Sequence, residues 1–192
     1  MRLNWNYLAG LFCGLWMLLA GNGYAGNVAS PEKVIKVLSV GNSFSQDAVE
    51  QYLHELGMEE VYNIVIGNVF IVGCSPERHV NKIRKDASAY DYRKIGLDGK
   101  KVHHKNMSIS NALAEEEWDY VSLQQASSLS GVYQTYETFL PELYGYVKER
   151  VGKHCKILFH QTWAYAQNCR NSGFKKYGSN QMEMYRSIVE TV

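Results

Sequence analysis

The chain has 192 residues, 46% of them apolar and 20% charged, with 20 Lys and Arg against 19 Asp and Glu. That apolar share supports one globular core and excludes an intrinsically disordered chain, and a formal net charge of +1 gives no basic footprint for nucleic acid or an anionic membrane surface. The 3 Pro residues argue against a proline-rich linker or a collagen-like chain, and the 4 Cys form no Cys-x-x-Cys pair of the zinc-ribbon or thioredoxin kind.

Leu8 to Ala20 is an uncharged apolar run. It has the length of a signal-peptide core and falls short of the roughly 20 residues that span a bilayer. Arg2 supplies a thin positive flank, and Gly23-Tyr24-Ala25 puts small residues where a signal peptidase reads. Residues 1–25 are therefore expected to be an export signal cleaved after Ala25, the alternative being an uncleaved anchor. Phe12 directly before Cys13 speaks against a lipoprotein signal. Export implies a periplasmic or extracellular protein with no stable membrane insertion after cleavage. It also leaves Cys74, Cys155 and Cys169, an odd count with at least one unpaired or intermolecular thiol. Cys155 opens an apolar run and reads as a core thiol.

Val34 to Val40 is a β-branched apolar run ending at Gly41, a buried strand. Val49, Tyr52, Leu53 and Leu56 recur at helical spacing, with Gly57 as the stop. Val61 to Val72 is a second strand. Ser75-Pro76-Glu77 starts a helix, with a side-chain cap, a first-turn proline and an acid at the positive end. In Tyr90 to Asn106, Asp98-Gly99 is a two-residue turn signal, and the segment reads as an inserted antiparallel hairpin. A short helix is expected at 109–116 and a third core strand at Tyr120 to Gln125. Tyr136, Leu140, Leu143, Tyr144, Val147 and Val151 form a helical stripe that Pro141 kinks or begins. Lys156 to Gln161 is a fourth strand, 168–180 a polar loop, and Met182 to Val192 a last amphipathic helix.

Strands that are apolar throughout and alternate with helices mean a parallel sheet covered on both faces. The expected fold is a three-layer αβα sandwich, doubly wound, mostly parallel and flavodoxin-like. The chain stops inside a helix where a further strand would close such a sheet, so the last strand is expected to be missing and the domain of residues 26–192 incomplete at its C-terminus.

Ligands of open parallel sheets sit beyond the carboxyl ends of the strands. The four strands deliver Gly41-Asn42-Ser43-Phe44-Ser45, Gly73-Cys74-Ser75, Gln124-Gln125-Ala126-Ser127-Ser128 and His160-Gln161-Thr162-Trp163. Hydroxyls, amides and glycine backbone suit stabilisation of an oxyanion. Ser43, just past a buried strand and opening a helix, is the candidate nucleophile. The competing role is a helix cap, since Ser43-x-x-Gln46 fits a capping box. Gly73 would let backbone approach a substrate, and Gln125 has a side-chain N–H to donate. Asn42, His79, Gln124 and Trp163 are expected to line the crevice, with Trp163 and Tyr165 forming either a sugar-binding wall or packing. Other chemistries fail on spacing: there is no complete Gly-x-Ser-x-Gly elbow and no phosphate loop, dinucleotide fingerprint or His-Glu-x-x-His. His103-His104 reads as a solvated pair on a hairpin arm and not as a metal site, and no metal or cofactor is called for.

Four stretches, Val37 to Ser45, Gly73 to His79, Trp118 to Gln125 and Gln161 to Tyr165, together resemble the SGNH (GDSL-like) hydrolase superfamily. More narrowly, they resemble exported bacterial proteins of unassigned function with SGNH-like folds. The resemblance implies ester hydrolysis through a Ser43 acyl-enzyme, with Asn42 where an aspartate is common and Gly73 as one oxyanion donor. The superfamily's third-block asparagine has no match; Gln125 or Ser128 occupies its place. Its late Asp-x-x-His block is absent after Ser43. The chain as given is therefore expected to be inactive or barely active, the dyad lying in a longer gene product. The implied substrates are small-molecule or glycan esters, acetylated carbohydrate among them. The rival readings are a glycan-binding module using His79, Gln124 and Trp163, and an inactive truncated product.

Overall fold

The computed structural model describes residues 33–60 and 62–192; the expected signal segment lies outside them, as does Val61 at the expected start of the second strand. Six strands form one sheet in the order β4-β3-β2-β1-β5-β6. They are β1 (Val34–Gly41), β2 (Asn63–Phe70), β3 (Tyr90–Ile95), β4 (Lys101–Met107), β5 (Tyr120–Gln124) and β6 (Lys156–His160). β1 pairs in parallel with β2 and with β5, and β5 with β6. The β3–β4 hairpin extends the β2 edge in antiparallel fashion. The helices are α1 (Leu53–Glu59), α2 (Pro76–Ile83), α3 (Ile109–Ala114), α4 (Gln134–Lys148) and α5 (Gln181–Thr191).

Alternation along the strands separates two packed faces. Leu38, Val40, Val69, Tyr92, Val121 and Leu123 join side chains of α2, α3 and α4 in the main core. Ile35, Val37, Ile64, Ile66 and Ile95 pack with Val49 and with Leu53 of α1 on the other face. This is the expected α/β layout with an inserted hairpin. Because β1 has β2 on one side and β5 on the other, the chain reverses its direction of winding there. Such a switch point opens a crevice at the strand's carboxyl end.

Four local details differ from the sequence expectation. The stripe at 49–56 is not one helix: Ser43–Ser45 forms a single α-turn, Gln46–Glu50 a π-turn, and α1 begins only at Leu53. The wider turn rotates later residues off the 3.6 period, so Tyr52 and Leu56 end up exposed. The π-turn carries Glu50 inward to the Arg93 Nη1 at 3.0 Å and the Lys101 Nζ at 3.1 Å. The hairpin loop is longer than two residues, closing from Gly96 N to Lys100 O at 3.2 Å, with Gly99 at φ +70°. Pro141 lies inside α4 and does not begin it. The polar stretch 168–180 contains a 3-10 segment, Ser172–Tyr177. Its Phe174 and Tyr177 pack on Met184 and Ile188 of α5 in a separate small core.

A cavity of about 430 Å³ lies along α4 and the outer edge of β6, lined by Tyr136, Leu140, Tyr144, Ile157, Phe159 and Thr191 among others. It is apolar and holds none of the candidate nucleophile, oxyanion or amide residues.

Candidate functional site

The carboxyl end of β1 is built around Asn42. Gly41 precedes it because a methyl there would overlap the Ser45 side chain and lie 2.9 Å from the Gln124 Cδ. Asn42 is 1% exposed, and its amide is used on both sides. The Nδ2 donates to Cys74 O at 2.9 Å and to Gln125 O at 3.3 Å. The Oδ1 accepts from Phe44 N at 3.2 Å and from Gln124 Nε2 at 2.6 Å. One side chain therefore ties the loops after β1, β2 and β5 together. The expectation that Asn42 and Gln124 line the crevice is corrected: both are buried, and they brace it from behind.

Asn42, and not Ser43, supplies the helix cap. The Asn42 Oδ1 caps the first helical turn, and Ser43 is the first residue inside it. The capping box read from Ser43 and Gln46 does not form. Ser43 is exposed, and its hydroxyl has no hydrogen-bond partner among the described residues. The hydroxyl therefore faces solvent at the carboxyl end of a buried strand, where the winding of the sheet reverses.

The loop after β2 is fixed by Arg78, whose Nη1 donates to Val72 O and Gly73 O, both at 3.1 Å. Gly73 has φ +56° with nothing within 4 Å of a Cβ placed on it. Glycine is required there by backbone conformation and not by crowding. In a trans peptide the N–H points opposite to the preceding carbonyl. With Val72 O held by Arg78, the Gly73 N–H is turned away from the guanidinium, and among the described residues it donates to no other backbone group.

The remaining expected residues are placed as follows. Gln125 is buried; its Nε2 donates to Thr135 Oγ1 at 3.0 Å and its Oε1 accepts from Ala126 N at 2.8 Å. Its amide is thus committed within the fold. Ser128 is partly exposed on the turn Ser127–Leu129 that follows. His79 is fully buried, with Nδ1 3.0 Å from the Tyr90 hydroxyl and Nε2 unpartnered. The crevice-wall expectation for His79 is corrected, because α2 turns this side chain into the main core. Burial, helped by the charge of Arg78, pulls its pKa down to about 3. Cys74 is buried, and burial pushes its thiol up to about 11 against the opposing pull of Arg78 and Lys82, so it carries no thiolate for nucleophilic work at neutral pH. Cys74, Cys155 and Cys169 are free thiols, and Cys155 is buried as expected. Among the described residues no three metal-ligating side chains converge.

Trp163 is 49% exposed and stands edge-on to Phe44, with ring centroids 4.2 Å apart. Its ring also lies 6.5 Å from that of His160. His160 is half-buried at the carboxyl end of β6, in register with Gln124 of β5. Its Nδ1 is 3.1 Å from Gln124 Oε1, and burial lowers its pKa. Nothing in the linear sequence marked this histidine. The usable signal is that Gln124 and His160 each end a core strand, so adjacent parallel strands bring them side by side.

The family model described as a domain of unknown function, DUF4886, matches residues 36–192. A DUF4886 family protein from Bacteroides uniformis ATCC 8492 is 59% identical, with a TM-score of 0.82, over 83% of this chain and 62% of that one. The chain thus spans less than two thirds of that relative's length. A second solved structure, of a protein proposed to be an SGNH hydrolase from Slackia heliotrinireducens, has 19% identity and a TM-score of 0.52. It covers 83% of this chain and 72% of its own, a likeness of fold alone. No curated protein matches the chain.

Proposed function

The chain belongs to the DUF4886 family, and we propose that it is a serine ester hydrolase acting through a Ser43 acyl-enzyme. The observation that carries the reading is the unpartnered, exposed Ser43 hydroxyl at the switch point of the sheet, released from capping by Asn42. In the proposed reaction the Ser43 Oγ attacks the ester carbonyl carbon as its proton passes to a base. The carbonyl oxygen becomes an oxyanion facing the Gly73 N–H. The bond to the alcohol oxygen breaks as that oxygen takes the proton, and water then releases the acid from Ser43.

The base is the component that these 192 residues do not supply as Asp-x-x-His. Serine at its ordinary pKa is a weak nucleophile without one, so the proposal expects slow turnover from these 192 residues. The half-exposed Trp163 beside Phe44 favours a substrate with a flat apolar face, such as an acetylated sugar. The same feature favours a second reading, a glycan-binding module without turnover. Labelling by a fluorophosphonate separates the two. The esterase reading expects one adduct on Ser43 and none in Ser43→Ala, and an unlabelled wild-type chain that still binds a glycan would leave the binding module.

A further inference from the structure

The amide hydrogen bonds behind the site run in one direction. The Asn42 Oδ1 takes the Phe44 backbone N–H, and the Asn42 Nδ2 faces the backbone carbonyls of Cys74 and Gln125. A backbone N–H only donates and a carbonyl only accepts, so this amide cannot be reversed. Asn42 Oδ1 must then accept from Gln124 as well, which makes Nε2 the Gln124 atom at 2.6 Å. Gln124 Oε1 is left as an acceptor, and the atom 3.1 Å from it is His160 Nδ1. Nδ1 must therefore carry the proton. In a neutral ring the other nitrogen is then a bare acceptor.

We propose that His160 is a ligand-binding acceptor of this site, held as the Nδ1–H tautomer by the Asn42–Gln124 amide relay. Its Nε2 then offers a lone pair to a ligand hydroxyl beside Trp163. The ring uses its inner edge on the buried Gln124, so Nε2 faces away from the relay. Nε2 is not among the buried orphan atoms and makes no hydrogen bond within the described residues. The lowered pKa of the half-buried ring keeps it neutral, and a neutral acceptor selects a hydroxyl over a carboxylate or a phosphate. The ligand class is a sugar or polyol with a free hydroxyl next to an apolar face that meets the indole. The inference rests on the esterase reading only for where the ligand sits; the tautomer does not depend on hydrolysis.

The test is long-range proton–nitrogen NMR on the full chain labelled with 15N-histidine at pH 7.5, in the Ser43→Ala background so that no ester is consumed. The expected spectrum shows His160 protonated on Nδ1 and bare on Nε2. Methyl 6-O-acetyl-glucopyranoside should move Nε2 upfield, and the fully acetylated glucoside, which has no hydroxyl, should leave it in place. His160→Phe should weaken binding of the first probe about tenfold, the equivalent of one ligand hydrogen bond. Gln124→Met should let the Nε2–H tautomer appear; if that variant does not fold, the unmodified relay still decides the matter from its own spectrum. An Nε2 proton or a mixture of tautomers with the relay intact overturns the proposal. So does an Nε2 unmoved by the hydroxyl-bearing probe at saturation, or no binding of that probe. An intact tautomer and shift in a protein whose Ser43 takes no fluorophosphonate label would support this inference while removing the esterase.

Discussion

Asn42→Ala is the perturbation that most directly probes how the site is assembled. Truncation removes four hydrogen bonds made by a side chain that is 1% exposed. Two buried carbonyls, of Cys74 and Gln125, lose a donor, and the Gln124 amide and the Phe44 N–H lose an acceptor. A buried polar group left unsatisfied costs about 1–3 kcal/mol, and loss of a helix N-cap about 1 kcal/mol. Water entering the vacated space recovers part of this, so a net loss of about 4 kcal/mol is expected. For a chain of this length 1 kcal/mol shifts Tm by about 2–4 °C, so the expected drop is about 12 °C. Urea denaturation followed by tryptophan fluorescence gives the free energy, and calorimetry gives the Tm. Asn42→Asp should also destabilise, because an oxygen replaces the Nδ2 facing two carbonyls. A loss below about 1 kcal/mol for Asn42→Ala would refute the view that one amide holds three loops.

Other outcomes follow from the same structure. Ser43→Ala should abolish fluorophosphonate labelling and any ester hydrolysis while changing stability by no more than about 0.5 kcal/mol, since an exposed, unpartnered hydroxyl contributes little to folding. Glu50→Ala leaves Arg93 without its buried counter-charge and should cost about 3–5 kcal/mol, read as a shift in the urea midpoint. At pH 8, iodoacetamide should label the half-exposed Cys169 well before Cys74, whose thiol burial pushes up to about 11; equal rates in peptide mass spectra would contradict the buried environment. His79 binds a proton at about 6.5 when unfolded but only near 3 when native. The unfolded state therefore holds more protons in that window, and stability is lost as pH falls through it, at up to about 1.4 kcal/mol per pH unit. His79→Gln should flatten the fall between pH 6.5 and 5, measured by urea midpoints at the two pH values.

The four parallel strands were legible because each contains a short apolar run bounded by polar or turn residues, whereas their order in the sheet came only from the structure. The hairpin was legible from Asp98-Gly99, though its loop runs over Gly96 to Lys100. The break at Glu50 was not, because a helical spacing of apolar residues does not record a buried carboxylate pulling the chain into a wider turn. The buried Phe174 and Tyr177 were hidden by polar neighbours in a segment without a period. Among the candidate site residues, Ser43 is exposed just past β1 and Gly73 has φ +56° in the loop after β2. Polar residues after strands usually face solvent, which is why Asn42, Gln124 and His79 read as a wall; in the fold, hydrogen bonds satisfy the first two inside, and α2 buries the third.

By itself the sequence determined the alternating elements and the parallel core, because each depends on residues within a few positions of one another. Only the tertiary structure decided which amide caps the first helical turn, which polar side chains are braces, and that His160 lies against Gln124. The cap bond itself is local, but the bonds that fix Asn42 in place and bring Gln124 to His160 join residues 32 to 83 positions apart. Such partners become neighbours only when the sheet forms.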